Sequence, residues 1–152
     1  MSMMASLQRW INDVTQTDVQ RQAPDVALAT AVLLCEVVRA DYQLDDAEIA
    51  LMRKQLRERF DFDDSALDEL MTLARQEAES AVDHHRFVRE LRDRCSYDDR
   101  VALVQQMWAL AYADGEKDAL EEHRIRSLAE LLHVSHSDFV RTRILEQHRV
   151  GP

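Results

Sequence analysis

The sequence predicts an all-α fold, a bundle of about seven to eight helices that contains two pseudo-symmetric helical hairpins. Three observations carry this. Apolar residues recur at three- and four-residue spacing along almost the whole chain, and no window alternates for long as a strand would. Only two glycines and two prolines interrupt 152 residues, so long helices are favoured and tight β-turns are scarce. Finally, segment 27–56 can be laid on segment 100–129 at an offset of 73 with its chemistry preserved.

Taken in order, Leu7, Trp10, Ile11 and Val14 mark a short amphipathic helix near residues 3–15. The polar stretch TQTDVQRQA after it reads as a linker, which makes residues 1–23 an N-terminal extension to a helical domain over 24–148. Pro24 suits the first turn of the next helix, 24–41. There Ala27, Leu28, Ala31, Val32, Leu33, Leu34, Val37 and Val38 leave little polar surface, so this helix is expected at the centre.

A further helix starts at Asp45 or Asp46 and carries Ile49, Met52 and Leu56 toward Phe60. The chain restarts after a cap near Asp63 to Ser65, with Leu67, Leu70, Met71 and Ala74 as an inner stripe. Phe87, Val88 and Leu91 define a helix over 83–95, and another spans 97–113. Leu120, Ile125, Leu128, Leu131 and Leu132 mark 118–133. A last helix, capped by Ser135 or Ser137, turns Phe139, Val140 and Ile144 inward.

The net charge is -10, from 29 acidic and 19 basic residues. Such a chain is repelled by phosphate backbones, which argues against nucleic acid and anionic lipid as partners and favours cations or basic proteins. Cys35 and Cys95 are isolated, as reduced structural thiols in a cytoplasmic protein are. No apolar run approaches the ~20 residues of a membrane span, and MSMMASLQRW lacks a signal-peptide core.

The repeat carries the chemistry. ADYQLDDAE, residues 40–48, and YADGEKDALEE, residues 112–122, each place an Asp at the end of an apolar helix, a short turn, and acids at the start of the next. The shared spacing is D-x3-D-x2-E: Asp41, Asp45 and Glu48 in the first copy, Asp114, Asp118 and Glu121 in the second. Asp45 with Glu48, and Asp118 with Glu121, have the spacing of a helix N-cap with an acid at the third helical position, which needs no ligand.

Capping does not explain Asp41 and Asp114. Each ends a helix, where the dipole disfavours an anion by roughly 0.3–1 kcal/mol. Like charges ~4 Å apart add up to about 4 kcal/mol at an effective dielectric of about 20. A bound hard cation, Ca²⁺ or Mg²⁺, would offset this with carboxylate and carbonyl ligands, although the spacing is not that of an EF-hand. Arg39 or Arg124 could neutralise the acids instead.

The remaining polar residues read as structural. Glu36, on the most apolar helix, is either paired with a buried arginine, near the ion, or on a helix edge open to water, and the last is preferred; Trp108 with Tyr112, four residues apart, is taken as core. His84 and His85 are adjacent and point ~100° apart on a helix, so they cannot readily share one ion. His123, His133, His136 and His148 have no zinc-site spacing. No G-x-S-x-G elbow and no phosphate-binding glycine loop is present.

The repeated AD-turn-D-x-x-E pair, with LLCEVVRADYQLDDAE and MWALAYADGEKDALEEHRIRSLAELLHVSHSDFV, resembles the TerB-like tellurite-resistance family, in its small stand-alone bacterial branch. The likeness covers about residues 24–145. It implies a helical bundle of two related halves and a divalent-cation site formed by Asp41, Asp45, Glu48, Asp114, Asp118 and Glu121; the residues themselves, with no catalytic motif among them, are read as a non-enzymatic module. It also implies cytoplasmic, sometimes membrane-associated, roles in stress responses to tellurite or other chemical insults. A related domain at the N-terminus of a membrane-anchored DnaJ-type co-chaperone implies a protein-interaction module. The alternative from residues alone is a metal-free adaptor whose acidic surface binds a basic protein. One departure stands out: Tyr42 occupies the position of Gly115, where the family usually has Gly, and Lys117 adds a cation to the second turn.

Overall fold

Helix α1 (Asp18–Val38) is the axis on which the chain is built. The computed structural model describes residues 18–38, 46–80, 85–113 and 119–149. Among them six more helices follow: α2 (Asp46–Arg59), α3 (Asp64–Ser80), α4 (His85–Arg94), α5 (Tyr97–Ala111), α6 (Ala119–Leu131) and α7 (His136–Arg149). No strand occurs among the described residues. The helix expected over 3–15 lies outside them.

Every residue of α1 from Ala29 to Val38 is buried, as its nearly continuous apolar sequence requires. It packs against α2, α3, α4, α5 and α6. The helix begins at Asp18, earlier than the polar TQTDVQRQA suggested, so Pro24 falls inside it and not in its first turn. Polar residues there do not prevent helix formation, and proline removes only one amide donor at that point.

The internal repeat governs the rest. Helix α1 ends at residue 38 and α5 at 111; α2 begins at 46 and α6 at 119, and both pairs are 73 apart. The contacts obey the same relation. Helix α1 packs on α3 as α5 packs on α7, and α1 touches α6 as α5 touches α2. Met52 and Ile125, one repeat apart, are both fully buried, as are Leu34 and Met107. The two halves are therefore related by a pseudo-two-fold with α1 and α5 against each other at its centre.

Capping fixes the helix starts. Asp63 Oδ1 accepts the amide of Ala66 at 2.8 Å, Ser96 Oγ that of Asp99 at 3.1 Å, and Ser135 Oγ that of Asp138 at 3.2 Å. At the end of α6, Val134 N donates to Ala129 O at 2.9 Å and His133 N to Glu130 O at 3.0 Å. This is a Schellman closure, and it forces His133 to φ 59, a left-handed conformation that suits glycine. His133→Gly is expected to stabilise the protein by about 0.5–1 kcal/mol in denaturant titration.

Helix α7 departs from its expected phase. Phe139 is buried and Val140 packs at the edge of the core, but Ile144 is 43% exposed. Phe139, Thr142 and Glu146 form the inward line, at spacings of three and four, while Ile144 sits about 200° from Thr142. Thr142 Oγ1 satisfies itself by donating to Asp138 O and Phe139 O, both at 2.9 Å. Local self-bonding of this kind lets a threonine fill an inward position where apolar spacing pointed to its neighbour.

Candidate functional site

Glu48 and Glu121 are the two expected ligands that lie among the described residues, and the fold treats them alike. Each is the third residue of its helix, α2 or α6, and each is 2% exposed. Ordinary capping glutamates stand in water; these are withdrawn from it. The positive helix end favours their charge, yet removing a carboxylate from water costs several kcal/mol in the absence of compensating partners. Each has a partner within the chain.

Asp41, Asp45, Asp114 and Asp118 lie outside the described residues, as do Tyr42, Lys117 and Arg39. Among the described residues no three His, Cys, Asp or Glu side chains gather as a metal group. His123, His133, His136 and His148 are all exposed, so none turns into the core to serve as a ligand. Chemically, Glu48 and Glu121 offer hard carboxylate oxygens at equivalent places in two related hairpins, which suits Ca²⁺ or Mg²⁺ better than a soft ion.

The C-terminal end of α5 is firmly held. Trp108 is 0% exposed, with ring centroids 6.2 Å from Tyr112 and 5.3 Å from Phe139. The expectation that Trp108 and Tyr112 are core therefore holds. Helix α5 tightens as it ends, with Tyr112 N bonding Trp108 O and Ala113 N bonding Leu110 O, both at 3.1 Å. The chain thus enters the second acidic turn from a rigid aromatic floor.

Glu36 corrects the expectation of a solvated helix edge. It is 3% exposed, and Arg124 of α6 donates to its Oε2 at 3.1 Å. Since α1 is enclosed on every side, a carboxylate on it has no path to water and needs a cation from across the bundle. Among the described residues Arg124 is thereby paired with Glu36.

A second polar cluster escaped the sequence reading. Tyr97 Oη donates to Asp138 Oδ2 at 2.6 Å and accepts the amide of Ser135 at 3.1 Å, tying α5 to the start of α7. The signal available was the pair of S-x-x-D caps, Ser96 with Asp99 and Ser135 with Asp138. The Tyr97 hydrogen bond, then Arg141, holds the Asp138 carboxyl below its usual range. The stabilisation is present above the unfolded-state pKa of about 3.9 and is lost as pH falls through the folded value. In Tyr97→Phe, the Asp138 titration followed by NMR is expected to move upward toward that ordinary value.

Comparison with known proteins gives one positive result. A family model described as "Tellurite resistance protein TerB" matches residues 27–144, more than three quarters of the chain and the whole of both repeated segments, 27–56 and 100–129. No curated protein matches, and no solved structure matches. No described helix is long and apolar enough to cross a membrane.

Proposed function

Since this chain belongs to the tellurite resistance protein TerB family, we propose that it is a non-enzymatic module that binds a divalent cation, Ca²⁺ or Mg²⁺, through its acidic turns. Its role is in a stress response, to tellurite or another chemical insult, exerted through a protein partner in the cytoplasm. One observation supports the cation above all: Glu48 and Glu121 are buried at the same place in both halves. Burial of both, each paired within the chain, goes beyond what a solvated cap requires.

Asp41, Asp45 and Glu48 would hold the ion in one turn, and Asp114, Asp118 and Glu121 in the other. Bound there, a cation supplies charge compensation and a rigid link between the end of one helix and the start of the next. The chain's own residues do the rest. Glu48 and Glu121 are held at the buried starts of α2 and α6, and Trp108 stacks on Tyr112 at the end of α5. If the position of Tyr42 needs φ > 0, as its alignment with Gly115 suggests, a tyrosine there costs about 1 kcal/mol or more and makes the first turn the weaker of the two.

Calorimetry of chelator-stripped protein with Ca²⁺, Mg²⁺, Mn²⁺ and Zn²⁺ tests this. Saturable heat is expected for a hard ion, reduced in Asp41→Asn and in Asp114→Asn. No heat with any of the four ions would leave the turns as helix caps, and the acidic surface would then be read as a site for a basic protein.

A further inference from the structure

Helix α4 has no counterpart across the pseudo-two-fold. The other contacts of α1 with the described helices recur around α5, but α4 packs on α1 and no described helix packs so on α5. The surfaces record the difference. Ala29, Val32, Leu33 and Glu36 are buried on α1. One repeat on, Ala102 is exposed and Gln105, Gln106 and Ala109 are half-buried. These four floor a groove of about 390 Å³ between α2, α5 and α7.

The groove is preformed and unfinished. Gln55 Nε2 donates to Gln106 O at 3.1 Å and Gln105 Nε2 to Glu146 Oε1 at 3.0 Å, which fixes its floor. Gln55 and Tyr112, which line it, are more than nine-tenths buried, yet Gln55 Oε1 and Tyr112 Oη make no hydrogen bond. Shielded polar atoms in that state are uncommon in a completed structure.

The seated helix shows what fits. Helix α4 presents Phe87, Val88 and Leu91 to the core, within the sequence RFVREL of residues 86–91. Residues 9–14 read RWINDV: arginine, aromatic, β-branched, any residue, acid, aliphatic, in the same order. The chain order matches too. Helix α4 precedes α5 and packs across onto α1; residues 9–14 precede α1. Three residues, 15–17, separate them from α1 and reach about 10 Å at most. That covers the ~9 Å by which the six extra residues of α1 displace its start relative to α5.

We propose that residues 9–14 of the chain's own N-terminal segment dock in the α2–α5–α7 groove, with Trp10, Ile11 and Val14 on α5 as Phe87, Val88 and Leu91 sit on α1. The docked segment closes the second half of the bundle as α4 closes the first. It would lie beside Tyr112 and Ala113, where α5 leads into the second acidic turn.

Acrylamide quenching of tryptophan emission tests this, because the chain has only two tryptophans and Trp108 is fully buried. A Trp10→Phe variant isolates the Trp108 signal for subtraction. Trp10 in the full chain is expected to be shielded, and its quenching to rise severalfold when Ala109→Arg or the more exposed Ala102→Arg fills the groove, with helix content unchanged. Trp10 quenched like a free indole in the unaltered chain would overturn the proposal and leave the groove to another protein. Shielding that both arginine variants leave intact would place Trp10 elsewhere and overturn it too. Shielding lost on dilution would assign the groove to a second copy's segment, contradicting docking within one chain.

Discussion

Saturating Ca²⁺ is expected to raise the melting temperature of chelator-stripped protein by about 5–11 °C. An ion that binds only the folded state at a hundred times its Kd stabilises by about 2.7 kcal/mol. For a chain of this size each kcal/mol is worth roughly 2–4 °C. Glu121→Gln is expected to separate the two roles of its carboxylate. Glutamine keeps the capping-box geometry but removes the charge that faces Glu121's partner within the chain, so the ion-free protein should lose some stability. The Ca²⁺ response, in contrast, should fall by most of its size. Equal melting temperatures with and without Ca²⁺, or an undiminished response in Glu121→Gln, would contradict the account.

Trp108→Ala is expected to destabilise the protein by about 3–5 kcal/mol in denaturant unfolding, the usual range for a large aromatic lost from a packed core. Trp108 is fully buried between Tyr112 and Phe139 and joins α5 to α7. Its repeat counterpart on α1 is Cys35, also buried, in van der Waals contact with Met52 at 3.9 Å between sulfurs. The related positions are thus filled by a small residue in one half and a large one in the other. Since the turn at 114–118 leaves from this helix end, the same change should weaken Ca²⁺ binding as well as stability. A loss below about 1 kcal/mol would show that the aromatic floor is not what holds the second half together.

Much of this architecture is legible in the sequence because its signals are local and repeated. Helix periodicity located all seven described helices, and the alignment of residues 27–56 on 100–129 anticipated helix ends that recur 73 residues apart. The failures have a common cause, which is that exposure depends on neighbours the sequence does not reveal. Glu36 looked like a wet edge, but a helix surrounded on all sides has none, and Arg124 had to come from 88 positions away. Ile144 looked inward by its chemistry, yet the phase of α7 is set by Phe139, and Thr142 and Glu146 follow from it. The burial of Glu48 and Glu121 was likewise invisible, since an acid at the third position of a helix reads as a solvated cap.

The candidate site is legible in a different sense. Spacing nominated six carboxylates, and the described fold places Glu48 and Glu121 at equivalent helix starts. Arg124, which sequence proximity offered to the acidic turns, pairs with Glu36.

The most direct test of the central claim is the stoichiometry of Ca²⁺ binding, measured by titration calorimetry on the unaltered chain, Glu48→Gln, Glu121→Gln and the double variant. Saturable binding is expected, weakened in each single variant, more in Glu121→Gln than in Glu48→Gln, and lost in the double. Binding unchanged in the double variant, or absent from the unaltered chain, would contradict it.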